Sequence, residues 1–274
     1  MILSDIEQRI KTKIEAIGTP LKDWDIQINY GIKTGFNDAF IINGEKKAEL
    51  IAQDPKSAEI IRPILRGRDI KRYGYEFADL YIITTFPSLK IDIESYPAVK
   101  QHLLSFGYDR LKQTGDKGAR KKTNNKWFET QDSISYREDF YKQKIVWKAV
   151  GRNLAFSILE EGKFLTAPAS FITTEFGLYY ILGFLCSSFG KYFIYNNSDT
   201  TGAGDIMLNI QSLIKIPIPQ LKANEQKIIE NKVSEIIELK KRKVSSHCLE
   251  NQVNSIINDI FDFSEEEIAF IENI

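Results

Sequence analysis

Residues 31–42 read GIKTGFNDAFII. Two glycines flanking a lysine and a threonine are the residue types that cradle phosphate. Backbone amides can approach a ligand at glycine, and the ammonium supplies charge. The order is wrong for a mononucleotide loop, which places glycine directly before lysine and a helix directly after the hydroxyl. Here Lys33-Thr34 precede Gly35, and a strand-like run follows. Two readings stay open. One is a plain turn between strands with Gly31 and Gly35 at positive φ; the other is a cradle for some other polyphosphate.

Basic side chains cluster elsewhere. Arg62, Arg66, Arg68, Lys71 and Arg72 fall within eleven positions, interleaved with Gly67 and Asp69. The arginine fork matches phosphate and guanine edges bidentately, which lysine cannot do. Asp69 could orient an arginine or accept from a cytosine amino group. A solvated basic face with internal salt bridges is the plain alternative. A second cluster is Arg120, Lys121, Lys122, Asn124, Asn125 and Lys126, ahead of Trp127. Its lysines suit phosphate and its asparagines are the type that reads adenine; the alternative is a surface loop without a ligand. Trp147-Lys148, Arg152-Asn153 and the polar run Asn196–Asp205, with Thr200 and Thr201, complete the set. The Gly202-Ala203-Gly204 run lacks the βαβ context of a cofactor turn.

Bond-making chemistry finds no comparable signature. The chain has two histidines and two cysteines, too few for a disulfide framework or a dedicated transition-metal site. No nucleophile elbow is present. Also missing are the Asn/Asp-Pro-Pro-aromatic tetrapeptide of amino-methyltransferases and a strand-plus-glycine loop for S-adenosylmethionine. Asp38, Glu45 and Lys47 imitate a Mg²⁺ nuclease site only weakly. No catalytic, metal-binding or cofactor-binding residue is expected.

Composition agrees with a folded binding module. The 274 residues are 43 % hydrophobic and 12 % aromatic, with zero net charge. The charge is uneven: 6 Lys and Arg stand against 11 Asp and Glu from residue 223 onward, leaving 31 against 26 before it. A local basic patch, rather than the total, is what attracts nucleic acid. No apolar run reaches the ~18 residues that span a bilayer, and the charged N-terminus is no signal peptide. A reducing cytoplasm is the expected compartment.

These side chains need a frame, and hydrophobic periodicity supplies one. Ile6, Ile10, Ile14 and Ile17 paint one stripe of a helix over 4–17, stopped by Gly18-Thr19-Pro20. Strands are expected at 24–28, through Ile42, at 81–86, 145–150, 154–159 and 170–174. Asn43-Gly44 reads as a turn. Helices are expected at 46–52, 55–61, 96–112 and, strongly apolar, 177–195. Residues 115–126 and 196–205 read as polar loops. The prolines of IKIPIP (214–219) make it an extended connector. Beyond it, Ile229, Val233 and Ile236, then Leu249, Val253, Ile256 and Ile260, form a coiled-coil-like seam with a weak point at Ser245-Ser246. Ser264 and Glu267 make a capping box for a last helix. The expected fold class is α+β: a lead-in helix (1–19), a mixed-sheet recognition domain (20–220) and a helical appendage (221–274).

The stretches GTPLKDW (18–24), INYGIKTGFNDAFII (28–42), LIAQDPKSAEIIRPILRGRDIKRYGY (50–75) and YPAVKQHL (96–103) resemble the TaqI-like C-terminal specificity domain. That is the target-recognition domain of type IIG restriction-modification enzymes and adenine-specific DNA methyltransferases. IPIPQLKANEQKI resembles the junction to a spacer helix in restriction specificity subunits, which gives a second reading as the DNA reader and scaffold of a type I-like system. The resemblance implies a partner, double-stranded DNA, and no membrane. It further implies that methylation and cleavage belong to methyltransferase and nuclease domains of a parent protein, which would use S-adenosylmethionine and Mg²⁺. It puts Lys33, Thr34 and Asn37 on a loop near DNA and the methyltransferase. It also implies that Arg66, Arg68, Lys71 and Arg72, shared among domains with different targets, serve structure, phosphate or the partner domain. Base readout is then expected mainly from the middle, residues 120–126, 147–153 and 196–205, where Arg120, Lys121, Lys122, Asn124, Lys126, Lys148, Arg152 and Thr200 are the expected DNA-binding residues. Where this chain departs from the pattern, it lacks the methyltransferase and nuclease parts, so a piece of a longer enzyme or a split subunit is expected.

Overall fold

The N-terminal helix forms where its stripe predicts, over Asp5–Ile17. Ser4 and Glu7 close a capping box on it, and Ile10 and Ile14 face inward. A computed structural model describes residues 3–273. Its frame is two four-stranded sheets. In the first, Phe156–Leu159, Lys144–Trp147, Ser170–Thr173 and Gln27–Tyr30 run antiparallel in that spatial order. The second runs Phe164–Leu165, Ile61–Leu65, Leu80–Ile83 and Ile41–Asn43, with the first pair parallel. A parallel bridge from Ile32 to Thr166 connects them. Lys144, Ile145, Val146 and Trp147 are all buried, as are Phe156–Leu159 and Ser170–Thr173. A strand covered on both faces reads as a continuous apolar run, not an alternation. Lys144 interrupts that run, and its ammonium donates to the carbonyls of Phe140, Lys142 and Glu160.

Several expected elements are divided or reassigned. The apolar segment 177–195 is two helices, Leu178–Cys186 and Ser188–Asn197. Ser187 separates them because its hydroxyl caps the second, accepting from Gly190 N. Asn43-Gly44 starts a helix instead of a turn, the Asn43 side chain accepting from Lys46 N. Segment 96–112 breaks at Gly107, φ 90°, into Pro97–Leu104 and Tyr108–Leu111. Segment 55–61 is a 3₁₀ helix, Pro55–Ile60. The IPIP run pairs as Pro217–Pro219 with Gly18–Pro20 in a two-stranded ladder, where proline lacks only a donor facing outward.

Ala223–Lys241 and His247–Ile260 form the helical hairpin that the seam predicts. They share one hydrophobic core with the first helix and the first sheet: Ile10, Trp147, Phe184, Ile229, Val233, Val253 and Ile257 belong to one buried cluster. Ion pairs reinforce the closure, Lys13 to Glu267 at 2.8 Å and Arg9 to Glu266 at 2.6 Å. Among the described residues no helix is long and apolar enough to cross a membrane.

Candidate nucleic-acid interface

The loop after Gln27–Tyr30 starts with an approach that only glycine permits. Gly31 N donates to Ala169 O at 2.8 Å, and a Cβ at Gly31 would stand 2.4 Å from the Thr166 carbonyl carbon. Gly35 then adopts φ 78°, a left-handed value. The loop is organised from within. Thr34 is fully buried; its hydroxyl donates to Asn37 Oδ1 at 2.7 Å and accepts from Phe36 N at 3.1 Å. Thr34 therefore shapes the loop and has no free face for a ligand, contrary to its expected role. Lys33 and Asn37 remain exposed.

Arg120 also departs from expectation. It is 2 % exposed, because its guanidinium donates to four main-chain carbonyls. Nε reaches Leu111 O at 2.8 Å, Nη1 reaches Thr34 O at 2.9 Å and Glu129 O at 2.8 Å, and Nη2 reaches Trp127 O at 2.7 Å. Burial, with Arg110 nearby, pulls its pKa down to about 10, so it is charged at neutral pH. It is a brace between two loops, unable to contact phosphate or base. Lys121, Lys122, Asn124 and Lys126 stand exposed on the loop that it holds. Asp132 and Gln131 complete the docking, their amides donating to Lys33 O and Thr34 O.

In the arginine cluster, Asp69 is the organiser. Its carboxylate accepts from Arg66 N and Nε, both at 2.9 Å, and from Arg66 Nη2 at 2.7 Å. Burial pushes the Asp69 pKa up, but the Arg66 hydrogen bonds outweigh it and hold the carboxyl below its ordinary value. Arg72 is likewise engaged: it donates to Cys186 O and pairs with Glu250, which also holds Lys240 at 2.9 Å. Arg66 and Arg72 thus fix the frame. Arg62 donates to the carbonyls of Ala58 and Ile61. Arg68 sits exposed at the crest of the 3₁₀ turn Gly67–Asp69.

That turn meets the next basic strand end. A Cβ at Gly67 would lie 3.4 Å from Lys148 Cβ and 3.6 Å from Ala169 Cβ. Arg68, Lys71, Arg72 and Lys148 line one open cleft of about 520 Å³, together with Asn153 and Tyr195. Lys191 and Tyr195 extend the cleft from the helix Ser188–Asn197. Sequence reading passed over them, although their i, i+4 spacing inside a helix of otherwise apolar character was a signal. Past Lys148 the chain enters a three-stranded ribbon in which Ile206–Met207 lies between Val150–Gly151 and Asp199–Thr200. Arg152 Nε approaches Asp205 Oδ1 at 3.5 Å, and Tyr195 donates its hydroxyl to Arg152 O at 2.6 Å. Thr200 is exposed on the ribbon edge.

A connected line follows. The loop of Lys121 is tied through Arg120 to Thr34. Gly31 is tied to Ala169, and Gly67 lies beside both Ala169 and Lys148. Interior packing thus joins the segments that carry the basic loops. Among the described residues, no cluster of three or more His, Cys, Asp or Glu is arranged to hold a metal.

An α+β frame that holds several polar, basic loops is the class that fold and site define. The chain belongs to the TaqI-like C-terminal specificity domain family, whose sequence profile matches residues 62–218. No curated protein matches it by sequence. The fold is similar to part of the type IIL restriction-modification enzyme MmeI, solved in complex with DNA, with a TM-score of 0.60 at 13 % identity. That alignment covers 93 % of this chain and 35 % of MmeI. A second similar structure is the type IIG restriction endonuclease BpuSI, with a TM-score of 0.54 and 15 % identity, covering 93 % of this chain and 32 % of BpuSI. The chain thus spans about a third of each of these enzymes.

Proposed function

We propose that this chain is the target-recognition part of a type IIG-like restriction-modification enzyme. It grips duplex DNA with its basic loops and sets an adenine for a methyltransferase carried by other polypeptide. Lys33, Arg68, Lys121, Lys122, Lys126 and Lys148 supply phosphate contacts; Asn124 and Arg152 reach toward base edges. Methyl transfer and cleavage, with S-adenosylmethionine and Mg²⁺, belong to the parent's other domains.

The observations that support this reading best are the open cleft lined by Arg68, Lys71 and Lys148 and the exposed lysines of the loop that Arg120 holds. A duplex lies against extended surfaces, and phosphates recur along it regularly, so separate sets of exposed cations suit it. Phosphate binding releases counterions, so affinity is expected to fall by a power law between about 50 and 200 mM salt. Lys148→Ala is expected to reduce the slope of log K against log salt by about 0.9. Fluorescence anisotropy on a labelled duplex measures both. Affinity that ignores salt, or a random duplex pool returning no enriched sequence, overturns the proposal.

A further inference from the structure

The three-stranded ribbon has two unlike faces, and its register separates them. Ile206 pairs with Gly151 and Thr200, while Met207 pairs with Val150 and Asp199. Residues opposite one another in an antiparallel ladder point to the same side, and neighbours in sequence point to opposite sides. Ile206 is 4 % exposed and joins the main core with Leu208. The other face therefore looks outward, and it carries Val150, Met207 and Asp199. Just beyond the ends of these strands, Arg152 and Asp205 form an ion pair.

This outward face is unusual for a ribbon tip. Val150 is 45 % and Met207 40 % exposed. Two apolar side chains sit side by side in water where Lys, Thr or Glu would cost nothing to the fold. Beside them, the Arg152 side chain is 81 % exposed, and its contact with Asp205 is a loose 3.5 Å, so it opens cheaply. Behind them lies the cationic cleft of Arg68 and Lys148.

We infer that this outward face enters the major groove and reads bases, with Val150 and Met207 packing on the C5 methyl group of a thymine. The inference rests on the proposed DNA-reading function and assigns the element and the chemistry by which it discriminates. Two antiparallel strands fit the major groove, and here Val150–Gly151 and Ile206–Met207 carry the apolar pair; thymine alone among the four bases presents a methyl group there. The apolar pair matches that methyl. Arg152, released from Asp205, offers its fork to guanine N7 and O6, and Asp205 can accept from a cytosine amino group. The cleft supplies cations for the phosphates flanking the groove, which offset the carboxylates of Asp199 and Asp205 on the reading face.

The test uses the full chain and the duplex enriched by it from a random pool. Each thymine of that duplex is replaced in turn by uracil, which removes only the methyl. At one or two positions, affinity is expected to fall about fourfold per methyl lost. Val150→Thr with Met207→Ser is expected to bind the thymine and uracil duplexes equally. Both sites are exposed, so unchanged thermal unfolding of that variant separates the effect from misfolding. Retained discrimination by the variant, or affinity insensitive to every uracil, overturns the inference while leaving DNA reading intact. Absence of any enriched duplex overturns the DNA-reading function itself, and the inference with it.

Discussion

At the scale of single residues, charge is a poor guide to role until burial is known. Arg120 and Lys121 are neighbours of the same sign in the sequence, yet one is enclosed and the other exposed. Arg120→Ala would take the guanidinium donors from four carbonyls, of which those of Thr34 and Glu129 keep a second donor in the Gln131 amide and Gln113 Nε2. A charged donor to a buried acceptor contributes about 1.5–3 kcal/mol, and losing several together is a large fraction of the stability of a domain. Arg120→Ala is therefore expected to lose more than about 3 kcal/mol in urea denaturation. Lys121→Ala and Lys122→Ala, exposed and away from the core, should change stability by less than about 0.5 kcal/mol. Each should instead lower the salt slope of DNA binding. Equal stability losses for Arg120→Ala and Lys121→Ala would contradict the brace. The sequence held the basic cluster 120–126 in plain view. It could not separate the brace from the contacts, because enclosure of Arg120 depends on Thr34, distant in sequence.

Elements carry the next distinction. Helix Pro97–Leu104 docks on the short helix Asn37–Phe40 through His102, whose Nε2 lies 3.0 Å from Ala39 O. The ring also meets Phe106 edge-on at 5.4 Å. Burial is the main cause that lowers the His102 pKa from its ordinary 6.5, and the Ala39 carbonyl opposes it only partly. The folded state thus holds the neutral ring, while the unfolded chain protonates near 6.5. Its stabilising effect is present above that pH and is lost as pH falls below it. His102→Gln keeps a donor without the titration. Thermal unfolding from pH 7.5 to 5 is expected to show a steeper loss for the wild type than for His102→Gln; parallel curves would refute this. Local signals served well where an element is closed by its own residues. The capping box at Ser264 stands where the sequence puts it. They failed where a cap lies hidden inside an apolar run. Ser187 splits one apolar run into two helices, a break that hydropathy alone does not show.

For the whole molecule, the central question is how firmly the C-terminal helices are joined to the part that carries the basic loops. Helix Leu178–Cys186 meets them at Gly183, where a Cβ would stand 2.7 Å from Ile229 Cγ2 and 3.1 Å from Val233 Cγ2. Backbone and side chains are in close packing there, with no space for a methyl. The same hairpin of helices supplies Glu250, which receives Arg72 from the arginine cluster and Lys240 from its own side. Apolar packing and a part-buried ion network thus tie both ends of the chain to the frame that aims Arg68. Unfolding is expected to be one transition, with Trp147 fluorescence, isolated by Trp24→Phe and Trp127→Phe, and far-ultraviolet circular dichroism coincident. Gly183→Ala is expected to lower the midpoint of that single transition, costing about 1–3 kcal/mol through overpacking. It should also weaken DNA binding only at temperatures where unfolded chain accumulates. If the helical signal instead melts first while the Trp147 signal persists, the C-terminal helices are an appendage and the coupling from Glu250 through Arg72 to the basic cleft is wrong.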